Sequence, residues 1–209
     1  MKKKPAIDEA LHKELDAVDR LLLKGKTQES IDAADKLLAR RAPIHEAAAE
    51  QLGFVKMRAL LELKGFDAGA AWYQEMRAGK RPRADDWFSM GRQLVMKSAE
   101  TGLRCLDEAA RLGCKDPALF MLRGSLLQNA GRQDEALDSY RHGVEFTPED
   151  FDDWLIKGEM LQRLGKYREA LECYARSMQD NPCESYSRFQ YDRAKAAIEE
   201  CRKTLEKRS

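Results

Sequence analysis

The side chains in this sequence best able to hold a metal or move a proton near neutral pH are three histidines, His12, His45 and His142. They stand far apart, in none of the paired spacings that bring two imidazoles to one ion, and are expected as solvated helix-surface residues. Five cysteines, Cys105, Cys114, Cys173, Cys183 and Cys201, could supply nucleophiles or soft ligands. They are odd in number and scattered, with no C-x-x-C pair. They read as reduced packing thiols of a cytoplasmic protein without a secretion signal. The carboxylates of Glu149-Asp150-Phe151-Asp152-Asp153 and Glu199-Glu200 have the chemistry of acid/base or metal sites. The first run opens a predicted helix, where negative charge complements the macrodipole. Lys80-Arg81-Arg83 falls on a turn and is expected to be solvated. Neither phosphate-cradling glycine loop is present. The expectation is a non-enzyme with no catalytic residue, no cofactor and no metal.

The elements that carry these residues are helical. Hydrophobic residues make up 43% and charged residues 35% of the 209, rich in Leu, Ala, Glu, Lys and Arg, a mixture suited to amphipathic helices. The formal net charge is +1. A nucleic-acid binder would show a basic excess, so no nucleic-acid partner is expected. No run approaches the roughly 20 apolar residues of a membrane span, and no membrane partner is expected. Met1-Lys2-Lys3-Lys4-Pro5 resembles the start of a signal peptide but no apolar stretch follows. Residues 1–7 are expected to be a disordered N-terminus.

Helices are predicted at Asp8–Lys24 (Asp8 as cap, Gly25 as stop) and Thr27–Arg41, then Glu46–Leu63 and Ala68–Ala78, then Asp85–Ala99 and Gly102–Leu112. Asp116-Pro117 opens the next helix, with Pro at a first helical position behind an Asp cap. From there to Glu184 the chain repeats itself after 34 residues. Phe120 falls on Trp154, Gly124 on Gly158, Leu127 on Leu161, Gly131 on Gly165, Ala136 on Ala170, Tyr140 on Tyr174 and Pro148 on Pro182. Gly inside a helix costs about 1 kcal/mol relative to Ala. Gly124 and Gly158 are therefore expected where the two helices of a hairpin approach closely, opposite Ala136 and Ala170. Gly131 and Gly165 mark the turns.

These two units resemble the tetratricopeptide repeat family. Its aromatic, small, large, Ala, aromatic and Pro positions are filled by Phe120, Gly124, Leu127, Ala136, Tyr140 and Pro148, then by Trp154, Gly158, Leu161, Ala170, Tyr174 and Pro182. Earlier units match more loosely, with Arg58 where a small residue belongs and Glu14 where the aromatic belongs. The resemblance implies an all-α, right-handed superhelical solenoid of about five antiparallel helix hairpins. The units are about 8–43, 46–82, 83–116, 117–150 and 151–184, followed by a capping helix over 185–209, in a single domain from residue 8.

In that family the first helix of each hairpin lines a concave groove. Carried over, the groove comprises Met121, Ser125, Gln128, Asn129, Leu155, Glu159, Gln162, Arg163, Phe189 and Arg193. The family's carboxylate-holding constellation of Lys, Asn, Asn, Lys and Arg finds Met121, Ser125, Ile156, Tyr186 and Gln190 in its places, so that role is not expected. The implied function is a cytoplasmic protein–protein interaction scaffold that binds a partner's peptide or helix. The alternatives are a self-associating module, with Tyr186 and Phe189 as exposed aromatics, and a regulatory ligand-binding domain.

Overall fold

Six glycines have positive φ, and each stands at a break between helices. Gly131 (φ 76) and Gly165 (φ 75) show why. At the first, Arg132 N–H bonds the Leu127 carbonyl (2.9 Å) and Gly131 N–H that of Gln128 (3.0 Å); at the second, Lys166 bonds Leu161 (2.9 Å) and Gly165 bonds Gln162 (3.0 Å). This paired closure satisfies the helix's last carbonyls and needs a left-handed residue, which glycine adopts without a Cβ penalty.

The computed structural model describes residues 9–40, 46–179 and 188–207. The helices are α1 (Glu9–Leu23), α2 (Thr27–Leu38), α3 (Glu46–Lys64), α4 (Phe66–Met76), α5 (Ala84–Leu94), α6 (Ala99–Arg111), α7 (Pro117–Asn129), α8 (Gln133–Gly143), α9 (Phe151–Arg163), α10 (Tyr167–Gln179) and α11 (Arg188–Glu206). The all-α class is the one expected, and no strand occurs among the described residues. The readings of residues 1–7, Asp8, His45, Pro182, Cys183 and Tyr186 lie outside the described residues.

The chain divides into two units, residues 1–108 and 109–209, the division falling within α6. In the first, Leu15, Val18, Ala34, Leu37, Ala48 and Leu52 form one core cluster, and Leu22, Ile31, Ala59 and Leu60 another. Buried Ser30 fastens α2 to α1 by donating to the Val18 carbonyl (3.0 Å). Arg58 donates to Asp19 on α1 and, at 2.7 Å, to Gln93 on α5. The place where a small residue was expected thus ties three helices together. Leu63, one residue before the end of α3, is 48% exposed.

One boundary differs from its expectation for a clear reason. The predicted helix Asp85–Ala99 ends at Leu94, and the next begins at Ala99, before Gly102. Ser98 Oγ accepts from the Thr101 N–H (3.3 Å), capping α6 one turn earlier than Gly102 suggested. Gly102 sits inside the helix, where a Cβ would lie 3.1 Å from the Val95 backbone.

In the second unit, α7 pairs with α8 and α9 with α10, and α11 packs on α10. Phe151, Leu155, Leu161, Ala170, Cys173, Tyr174, Ala194 and Cys201 are its buried cluster, with Trp154, Leu171 and Ile198 against it. Asp116 caps α7 by accepting from Ala118 N–H (2.8 Å), and Asp150 caps α9 by accepting from Asp153 N–H (3.0 Å). Asp153 returns a bond by accepting from Glu149 N–H (3.0 Å). The acidic run is thus a helix start.

The glycines at 124 and 158 have a different cause from the one expected. A Cβ on Gly124 would lie 2.3 Å from Tyr140 Cε1, and one on Gly158 2.6 Å from Tyr174 Cε1. The missing side chain makes room for a tyrosine ring from the second helix of the same hairpin, rather than for its backbone.

Candidate functional site

The same tyrosine also reaches a glutamine on the first helix of its hairpin. Tyr174 is fully buried, yet its hydroxyl emerges beside α9 and donates to Gln162 Oε1 (2.7 Å). One repeat earlier, Tyr140 donates to Gln128 Oε1 (3.3 Å), with Ser125 Oγ at 3.5 Å. Each bond occupies the glutamine carbonyl from within the hairpin, so the amide N–H donors remain for another molecule. Burial pushes the Tyr174 phenol well above its ordinary pKa, so it keeps its proton and acts as a donor.

Above these glutamines lies a cavity of about 540 Å³, walled by α7, α9, α10 and α11. It gathers six of the ten anticipated residues: Met121, Gln128, Glu159, Gln162, Arg163 and Arg193. Tyr167, Tyr174, Ala196, Ala197, Glu200 and Thr204 complete it. Asn129 is exposed and Ser125 half-buried, both outside its wall. Leu155 corrects the expectation: at 2% exposure it belongs to the core cluster, because its position on α9 turns it inward with Leu161. Phe189 is 75% exposed at the start of α11 and also lies off the wall.

The charges of this cavity are unequally committed. Arg193 donates to Glu159 at 2.6 Å, and the Glu159 side chain is only 11% exposed. Burial raises the Glu159 carboxyl above the ordinary glutamate value, with the Arg193 charge opposing. Nearby, Gln190 donates to Asp152 (2.7 Å), whose carboxyl burial and then Asp150 and Asp153 push upward. These two bonds fasten α11 across α9. Arg163 is exposed and forms no ion pair among the described residues.

The first unit holds a second cavity, of about 530 Å³, between α3 and α5. Phe54, Val55 and Met90 supply apolar wall, and Asp85, Asp86 and Arg83 its charged end. Both helices are the first of their hairpins, so the same carry-over could have found it. Only the two units with the clearest repeat marks and the capping helix after them, all in the second half of the chain, had supplied groove residues.

Elsewhere the reactive side chains are occupied structurally. His142 Nδ1 lies 2.8 Å from the Asp138 carbonyl, and its ring stacks on Phe120 with centroids 6.5 Å apart. His12 lies 3.9 Å from Asp16 on the same helix. Lys80 pairs with Glu46 (2.9 Å). Burial pushes the Cys105 thiol up to about 12 and the Cys173 and Cys201 thiols upward. No group of three or more His, Cys, Asp and Glu side chains among the described residues could hold a metal ion, and no described helix is long and apolar enough to cross a membrane.

Fold and cavities together define a helical-repeat protein with surface troughs. Within that class, residues 117–150 match the family described as Tetratricopeptide repeat. No curated protein matches the chain by sequence. Among solved structures it is similar to the C-terminal part of a TPR repeat-containing protein from Cytophaga hutchinsonii, at 16% identity over 89% of this chain and 72% of that one, with a TM-score of 0.51. YrrB, described as a TPR protein with an unusual peptide-binding site, aligns at 18% identity over 92% of this chain and 99% of its own, with a TM-score of 0.47. TTC0263 of Thermus thermophilus, a thermophilic TPR protein, aligns at 16% over 90% and 98%, with a TM-score of 0.45. At these identities the likeness concerns the fold.

Proposed function

We propose that this chain is a protein–protein interaction scaffold without chemistry of its own. Its second unit takes a partner's peptide or helix in the cavity beneath α11. The observation that carries this reading is the division of labour around Gln162. Repeated residues, Gly158 and Tyr174, hold the glutamine from below. Residues that differ from their counterparts one repeat earlier, Glu159 and Arg163, stand beside it on the cavity wall. A wall of amide donors, one uncommitted guanidinium and a few apolar groups suits a segment held by shape and selected hydrogen bonds. Cys105, Cys114, Cys173 and Cys201 are joined in no disulfide among the described residues, which fits a reducing, cytoplasmic setting.

The test is affinity capture from native extract with the full chain and with its Arg163→Glu and Gln162→Ala variants, each checked for unchanged helicity. Partners should be retained by the parent chain and lost by both variants. Capture of the same partners by all three would overturn the groove reading. Exposed Phe189 favours self-association as a second reading. Sedimentation of the chain and of Phe189→Ser over a range of concentrations separates the two.

A further inference from the structure

We propose that the trough of the first unit is a separate docking site for a short extended segment with basic side chains on an apolar frame. It does not rest on the reading of the second unit.

Length comes first. On α3 the lining runs from Ala47 to Arg58 and on α5 from Arg83 to Gln93. At 1.5 Å per residue these walls are roughly 16 Å long, the reach of about five extended residues. That is a trough for a peptide, too long for one small cation. Phe54, Val55 and Met90 give it apolar wall over which an arginine or lysine stem can lie.

Charge then chooses the sign. Glu50 and Arg58 point charges toward the trough but are neutralised from outside it, Glu50 by Arg77 at 2.9 Å and Arg58 by Asp19. What remains is two aspartates against one arginine. Asp85 is exposed and forms no ion pair among the described residues. Asp86 is 8% exposed, and its Oδ2 accepts from the Tyr73 hydroxyl at 2.8 Å. That hydroxyl is itself fixed by the Arg83 N–H (2.9 Å). Among the described residues, Asp86 Oδ1 has only the Arg83 guanidinium, 3.7 Å away on a side chain 53% exposed. A carboxylate this buried is ordinarily satisfied by close hydrogen bonds. Here only Oδ2 has a close bond, and Asp86 lines the trough with a loosely held arginine beside it. First-turn carboxylates at α5 are explained by the helix dipole, but the dipole does not explain why one of them is buried at the end of an apolar trough with an oxygen unbonded.

The partner chemistry that completes this site is a guanidinium or ammonium between Asp85 and Asp86, displacing Arg83 toward solvent, with apolar neighbours on Phe54 and Met90. The experiment titrates the full isotope-labelled chain with a capped Leu-Arg-Leu-Arg-Leu peptide, with its counterpart bearing Glu for Arg, and with spermidine, reading amide shifts and affinity. The arginine peptide is expected to shift Phe54, Asp85, Ser89 and Gln93, leave Gln162 and Arg163 unmoved, and bind at least about tenfold more tightly than the glutamate peptide. Asp85→Lys and Ser89→Lys both lie at exposed positions. Each should weaken the arginine peptide by about tenfold or more while helicity is unchanged. The proposal fails if neither peptide shifts these amides at about millimolar concentration. It fails equally if the two peptides bind alike, if both lysine variants bind as the parent does, or if spermidine binds as well as the peptide.

Discussion

A Cβ on Gly158 would stand 2.6 Å from Cε1 of Tyr174, so the two positions share one volume. Giving that volume to both residues forces the ring or the helix to move. Gly158→Ala should lower stability by about 1–3 kcal/mol through overpacking. The matched Gly124→Ala should do the same against Tyr140. In combination with Tyr174→Leu, the cost of Gly158→Ala should shrink, because the clash is with the ring. Chemical denaturation of the four chains measures this. Additive effects would contradict the shared volume.

Removing only the hydroxyl separates packing from groove preparation. Tyr174→Phe keeps the ring but loses the bond to Gln162, and should cost about 0.5–1.5 kcal/mol. The Gln162 side-chain amide should lose its fixed orientation, visible as averaged NMR signals of its NH2 group.

Leu155 and Arg163 should respond oppositely. Leu155 is buried in the second unit's core, so Leu155→Ala should cost about 2–5 kcal/mol. Arg163→Ala removes an exposed side chain without an ion pair among the described residues, and should leave stability within about 0.5 kcal/mol. Thermal melts of both variants decide between core and groove for each.

The raised carboxyl of Glu159 gives a pH signature of definite sign. A folded pKa above the unfolded one means the native state binds more protons between the two values, so stability rises as pH falls through the folded pKa. The gain is complete below the unfolded value of about 4.3. Glu159→Gln removes the buried charge and keeps an acceptor for Arg193. Relative to the parent, it should therefore be more stable at neutral pH, and the difference should disappear toward pH 4 or so. A constant difference across pH would contradict the assignment.

Cys105 and Cys201 are fully buried, and burial disfavours their thiolates. Both should resist alkylation in the native chain at neutral pH and react on denaturation, a contrast that peptide mass mapping resolves.

Much of the fold was legible in the sequence because its cause is local. Helix periodicity, the Asp116 and Asp150 caps and the left-handed turns at Gly131 and Gly165 each involve residues within a few positions of one another. The Ser98 cap was legible too but lost to the more conspicuous Gly102. The partner of a helical glycine was not legible. Gly158 announces that something comes close, and the expected partner was the alanine of the next helix rather than the tyrosine that fills the space.

The candidate site divides along the same line. The sequence by itself determined that Glu159, Gln162 and Arg163 share one stretch of helix, since spacings of one and three residues on a regular helix leave little freedom. Tertiary structure alone decided that α11 closes over them through Arg193 and Glu159, 34 positions apart. It alone turned Leu155 into the core and opened a trough between α3 and α5 ending at Asp86. Those outcomes depend on how neighbouring helices are rotated and spaced, which is settled by long-range packing of side chains and is not encoded in the period of any one helix.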